Sequence, residues 1–253
     1  MPEYDAYSVF YDRLHGNDQH DVPFYLEMAK QTGGPVVELA CGTGRVLLPL
    51  ARAGFEVTGI DLSQAMLDLL QAKLDKEPRE VQARVALKCA DMRDYRLTQK
   101  YRLAFCAVSS FLHLMTTEDQ LACLRSVREY LADDGRLVLN ISAPYHHRLA
   151  LRDETEVSVH RDPETGRDMV VTFIRQRHLE TQTIDSSAYV DRVGDDGTLR
   201  RHSANVTLCW IHHREMHLLL RLAGYEAVGA YGGLDKRPYD YVSGIQIFVA
   251  KKL

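Results

Sequence analysis

The chain predicts an α/β fold: a seven-stranded, mostly parallel sheet with helices on both faces, plus an inserted antiparallel β-sheet lobe. Three observations predict it. Short apolar runs alternate with helical patterns from residue 36 to residue 141, as in a sheet wound with crossover helices. A Gly-rich turn joins the first run to the first following helix. From residue 152 to 210 the helical period disappears and a two-residue alternation replaces it.

The elements follow in order. Within residues 1–32, Tyr4, Tyr7, Tyr11 and Leu14 recur at spacings of three and four and share a helical face. A second helix covers Val22 to Gln31 and stops at Gly33-Gly34. Val36 to Leu39 is a buried strand, Gly44 to Ala53 a helix that Gly54 ends, and Phe55 to Ile60 a second strand reaching Asp61. Ser63 caps a helix over Gln64 to Lys76. Strands Ala83 to Cys89, Leu103 to Val108 and Arg136 to Ile141 follow, with Thr117 and Gln120 as a capping box for a helix over Glu118 to Leu131. Alternation over Glu156 to His160, Asp168 to Leu179, Ser186 to Arg192 and Ser203 to Trp210 predicts the antiparallel insert. A helix over His213 to Ala223 and two strands, Glu226 to Tyr231 and Gly244 to Ala250, close the chain. The expected organisation is 1–150 for the N-terminal helices and cofactor-binding core, 151–211 for an inserted substrate lobe, and 212–253 for the last helix and closing hairpin.

Composition excludes several classes of function. A net charge of -4 with no Lys/Arg run opposes a nucleic-acid partner, which demands concentrated positive charge. Five Cys without a CxxC pair suggest neither a disulfide framework nor a zinc site. No apolar run approaches the ~18 residues of a membrane span, and residues 1–5 lack signal-peptide character, so the expected location is cytoplasmic.

The segment Val37-Glu38-Leu39-Ala40-Cys41-Gly42-Thr43-Gly44-Arg45 carries the chemistry. Two glycines at a strand-to-helix turn remove Cβ where a ligand must come close. Asp61, at the end of the next strand, follows Gly42 by nineteen positions. That is the spacing at which a carboxylate meets the ribose hydroxyls of an adenosine-containing cofactor. The dinucleotide fingerprint would also require Gly or Ala at position 47, where Leu47 stands.

These motifs resemble the class I S-adenosylmethionine-dependent methyltransferase family. Glu38 to Gly44 looks like its first motif, Gly59-Ile60-Asp61-Leu62-Ser63 with Met66-Leu67 its second, Ala90-Asp91-Met92-Arg93 its third, and Ser109 to Leu114 its fourth. The resemblance implies a Rossmann-like core and S-adenosylmethionine as cofactor. It implies cofactor contacts from Tyr11, Glu38, Ala40, Gly42, Thr43, Gly44, Asp61, Leu62, Met66, Asp91, Met92 and Ser109, with Asp61 on the ribose and Asp91 at the adenine amino group. A looser similarity to N-methyltransferases of amino sugars or glycine-like amines rests on Tyr7, Tyr11-Asp12, Asp91 to Leu97 and the insert. It implies a small-molecule acceptor and a homodimer contact through the lobe.

His113 follows the fourth strand, beside the expected methyl, and is the candidate acid/base or positioning group, with Tyr11 as a second catalytic candidate. An imidazole suits deprotonation of an amine near neutrality. The competing role of His113 is a satisfied helix-start histidine, and that of Asp61 a helix cap. The pairs His146-His147 and His212-His213 are adjacent residues that point to opposite faces of an extended chain, so neither converges on a metal ion. Trp210 and Tyr189 either line the acceptor pocket or belong to the core, and Tyr231, Tyr239 and Tyr241 are open in the same way. Two competing functions are a nicotinamide-dependent oxidoreductase, opposed by Leu47 and by the absence of a Tyr-x-x-x-Lys pair, and a cofactor-binding protein without catalysis.

Overall fold

A computed structural model describes residues 18–144, 151–162, 165–194 and 196–253. Its core is one seven-stranded sheet. The strands are β1 (Val36–Leu39), β2 (Val57–Asp61), β3 (Val85–Cys89), β4 (Tyr101–Cys106), β5 (Leu131–Ser142), β10 (Tyr225–Tyr231) and β11 (Ile245–Lys252). Their order across the sheet is β10-β11-β5-β4-β1-β2-β3, with β11 antiparallel to its neighbours. β1 pairs in parallel with β2 on one side and β4 on the other. The winding reverses direction between β1 and β4, and in such sheets the ligand crevice opens at that point, beyond the carboxyl ends of the strands.

Helices cover both faces because both faces of the central strands are apolar. Strand β1 is buried at all four positions. On one face lie α1 (Val22–Thr32), α2 (Leu47–Arg52), α3 (Gln64–Leu74) and α4 (Arg79–Gln82), packing Tyr25, Leu50 and Leu70 against Leu103 and Phe105. On the other lie α5 (Thr117–Tyr130) and α6 (His213–Leu222), packing Leu124, Met216 and Leu220 against Leu39 and Leu139.

The insert is a separate four-stranded antiparallel sheet of β6 (Asp153–Arg161), β7 (Asp168–His178), β8 (Thr183–Val193) and β9 (Leu199–Cys209), in the order β6-β7-β8-β9. Opposed register pairs put Phe173, Arg175 and Arg177 of β7 on the same face as Ala188, Ser186 and Ile184 of β8.

Several local expectations change. The cap of α5 is Thr116, whose hydroxyl accepts from the Asp119 N–H at 3.1 Å. Gln120 is instead buried and donates to the Leu114 carbonyl at 2.9 Å, so tertiary contact overrides the capping box read from Thr117. The helix after the Gly-rich turn begins only at Leu47, because the turn itself occupies residues 40–46. His212-His213 is a helix start and not a strand: the His212 N–H is capped by Glu215 at 2.7 Å, and His213 stacks on Tyr239. Among the described residues, no helix is long and apolar enough to cross a membrane.

Candidate active site

Where β1 ends, the chain turns through the left-handed region at Ala40 (φ 52°), Gly42 (φ 53°) and Gly44 (φ 81°). The two glycines have different duties. A Cβ on Gly42 would meet nothing within 4 Å, so this residue opens onto free space along the cavity wall. A Cβ on Gly44 would lie 2.2 Å from Leu70 Cδ1, so its bare backbone lets α3 close against the turn. Asp61, at the tip of β2, holds the turn in place. Its Oδ2 accepts from the Gly42 N–H at 2.7 Å and its Oδ1 from the Ser63 N–H at 2.8 Å. A carboxylate has about four lone-pair positions, so each oxygen can accept from more than one donor.

Beyond β3, Asp91 is fixed by its own turn. The Arg93 N–H donates to Asp91 Oδ1 at 2.8 Å and the Arg93 guanidinium grips both carboxylate oxygens. These hydrogen bonds hold the Asp91 carboxyl below the usual carboxylate range. Arg93 also reaches Asp119 at 2.9 Å in the first turn of α5, which ties that helix to the β3 turn.

At the end of β4, Val108 (φ 49°) and Ser109 (φ 64°) are consecutive non-glycine residues in the left-handed region. Such backbone costs roughly 1–3 kcal/mol per residue and collects at ligand sites. Ser109 is locked there by its N–H to the Asn140 carbonyl at 2.9 Å and by its hydroxyl, which accepts from the Ser142 N–H at 2.9 Å. His113 closes the 3-10 turn Ser110–His113 that follows. Burial pushes its imidazole down to about 4, so it is neutral at physiological pH.

These ends meet in a cavity of about 980 Å³ between the sheet and the inserted lobe. Ala40, Gly42, Asp61, Leu62, Met66, Asp91, Met92, Ser109 and His113 all line it. Glu38, Thr43 and Gly44 lie behind the wall. Glu38 is buried in β1, accepts from the Leu47 N–H and keeps Oε2 without a hydrogen-bond partner; burial raises its carboxyl well above the ordinary range. Tyr11 and His146-His147 fall outside the described residues.

The opposite wall comes from the insert: Phe173, Arg175, Arg177, Ser186, Ala188 and, just after β9, Trp210. Tyr189 points to the other face, where Arg201 covers its ring at 5.1 Å. Arg177 is buried and paired with Glu154, while Arg175 pairs with Glu156 at 2.7 Å over the Phe173 ring. Arg45, Arg93, Arg175 and Arg177 escaped the sequence reading. Arg45 and Arg93 stand in the Gly-rich and Asp91 motifs, so their positions in the chain were a signal. Arg45 makes a buried two-pronged pair with Asp21 at 2.5 and 2.8 Å and joins α1 to the Gly-rich turn. Among the described residues, no three metal-ligating side chains converge.

The open cradle at Gly42, the doubly anchored carboxylate of Asp61 and the apolar flank of Leu62, Met66 and Met92 fit an adenosine-bearing cofactor seated across the β1–β4 reversal. Residues 36–135 match the methyltransferase domain family. The cypemycin N-terminal methyltransferase of a Streptomyces species is 27% identical over 221 residues, which are 87% of this chain and 84% of that protein. An amino-sugar N,N-dimethyltransferase of Streptomyces venezuelae is 27% identical over 138 residues, 53% of this chain and 55% of the relative. Among solved structures, the CcbJ methyltransferase from Streptomyces caelestis superposes with a TM-score of 0.80 at 26% identity, covering 92% of this chain and 89% of that one. The Rossmann-like fold and this cavity define a class of α/β proteins built to hold a nucleotide-type cofactor, and the comparisons give the transferred group. The chain is an S-adenosylmethionine-dependent methyltransferase.

Proposed function

We propose that the protein transfers a methyl group to an amine nitrogen of a small-molecule acceptor held between the sheet and the inserted lobe. The observation that carries this reading is the shared cavity: Gly42 and Asp61 stand on one wall, Arg175 and Trp210 on the other, and Ser109 and His113 lie between them. The named relatives that act on a peptide N-terminus and on an amino sugar support nitrogen as the acceptor atom.

In this reading Asp61 accepts from the ribose hydroxyls, Asp91 from the adenine amino group, and Leu62, Met66 and Met92 flank the adenine. Gly42 presents bare backbone to the donor, and Ala40 only a methyl group beside it. When bound, S-adenosylmethionine supplies a methyl group already activated by its sulfonium. The protein then has to align the acceptor lone pair with that methyl and exclude water, so orientation supplies much of the rate. His113 performs the alignment. A neutral imidazole in a dry setting is a weak base, yet its lone pair accepts an acceptor N–H and turns the nitrogen toward the methyl. The lobe wall sets which acceptors enter, and we take residues 151–211 as the acceptor-recognition unit.

The test is a methyl-transfer screen with the full-length protein against amino sugars, free amino acids, peptides with a free N-terminus, and matched alcohols and phenols. Turnover confined to amines supports the proposal, and turnover confined to hydroxyls overturns it. Tight binding of S-adenosylhomocysteine without transfer to any acceptor would instead favour a cofactor-binding protein without catalysis.

A further inference from the structure

We propose that His213 and His217, one turn apart on α6, form a binding site for a divalent transition-metal ion of the Zn²⁺ and Ni²⁺ class. The site lies on the outer side of the fold, between α6 and β11, and takes no part in methyl transfer. Residues four apart on a helix share a face, and here the two Nε2 atoms stand 3.3 Å from each other. Two imidazole nitrogens about 2.05 Å from one tetrahedral ion lie about 3.3 Å apart. The same separation is long for a hydrogen bond, where ~2.7–3.2 Å is usual.

The tautomer is set from behind. Gln246 is fully buried in β11, and its amide nitrogen donates to the Ile211 carbonyl at 2.9 Å. Its oxygen therefore faces His213 Nδ1, 3.1 Å away, and Nδ1 must carry the proton. The lone pair of His213 is left on Nε2, the atom that faces His217. A ligating histidine whose other nitrogen donates to a fixed acceptor is the usual support of a metal site. Orientation is fixed further by the Tyr239 ring, stacked on His213 at 4.3 Å and 3°, and by Phe248, which meets both imidazoles at 5.1 and 5.3 Å. His217 is exposed, so water completes the coordination. Imidazole donors select the borderline transition ions over Mg²⁺ or Ca²⁺. Bound there, the ion clamps the first turn of α6 to its second.

Isothermal titration of the untagged full-length protein with ZnCl2, NiCl2 and MgCl2 in turn tests the site. One saturable event with Zn²⁺ and with Ni²⁺, and none with Mg²⁺, is expected. His217→Ala is exposed and leaves the fold intact, as unchanged S-adenosylhomocysteine affinity will show. It weakens Ni²⁺ binding about tenfold or more, and His213→Ala does the same. The proposal is overturned by absence of saturable binding, by equal affinity in His217→Ala, or by loss of binding only in Cys89→Ser, which would assign the ion to that exposed thiol.

Discussion

Gly42 and Asp61 lie nineteen positions apart, and the backbone N–H of the first donates to the carboxylate of the second at 2.7 Å. One side chain thus shapes the turn that lines the cavity, and in the proposed reading the same carboxylate accepts from the ribose hydroxyls. Asp61→Ala removes both loop bonds and, in the proposed reading, the ribose contacts. Each bond to a charged group is worth about 1.5–3 kcal/mol when lost. We expect S-adenosylhomocysteine affinity to fall by about two orders of magnitude or more, with cooperative unfolding retained. Calorimetry showing unchanged affinity would remove Asp61 from the cofactor site.

The two glycines of the turn separate stability from binding. In Gly44→Ala the new methyl collides with Leu70 and the residue keeps a positive φ, so we expect a loss of about 2–4 kcal/mol in urea unfolding. Gly42→Ala meets no protein atom. Its stability loss is confined to the left-handed backbone, about 1–2 kcal/mol, while the methyl intrudes where the donor sits and affinity falls more steeply. Equal losses in both measurements for both variants would refute this division.

Arg45 and Asp21 test how the N-terminal helix is held to the turn. The Asp21 side chain is 1% exposed, so Arg45→Ala strands a carboxylate away from water. A broken buried pair costs about 3–5 kcal/mol, whereas an apolar replacement of both partners costs far less. Arg45→Met combined with Asp21→Leu should therefore unfold at a higher urea midpoint than Arg45→Ala alone. The reverse order would show that burial of the charge is not what makes the pair matter.

The core was legible because its strands are short, apolar on both faces and punctuated by glycine, so length and flanks identified them. That Gly42, Asp61 and Asp91 line one cavity was legible too, since all three stand at strand ends, where chain position nearly fixes spatial position. Contacts that cross the fold were not. Nothing local shows that Arg93 reaches Asp119, or that Gln120 turns from a helix cap to the Leu114 carbonyl. In the insert, alternation showed two faces without saying which one meets the cavity. Val157, Val159 and Ile174 are apolar yet exposed, while Arg177 is charged yet buried. The His212-His213 pair in the chain conceals the pair that the helix makes, because His213 meets His217 one turn further along.

The burial of His113 predicts a stability effect with a definite sign. Its imidazole is held neutral in the folded chain down to about 4, against an ordinary value of 6.5. Between those limits the unfolded chain binds the extra proton and the folded chain does not. Stability therefore falls as pH drops from 6.5 toward 4, then levels off. At 1.36 kcal/mol per unit the full effect is at most about 3.5 kcal/mol, and partial solvent contact reduces it to about 2. Urea unfolding of wild type and His113→Leu at pH 7 and pH 4.5 checks it: the variant should lose less stability on acidification. The same low value bears on catalysis, because a group already neutral at pH 6 cannot produce a break in kcat near 6.5. Loss of kcat in His113→Leu without a change in the shape of the profile above pH 6 fits an orienting lone pair. A wild-type break near 6.5 that disappears in the variant would make His113 the base that takes the proton.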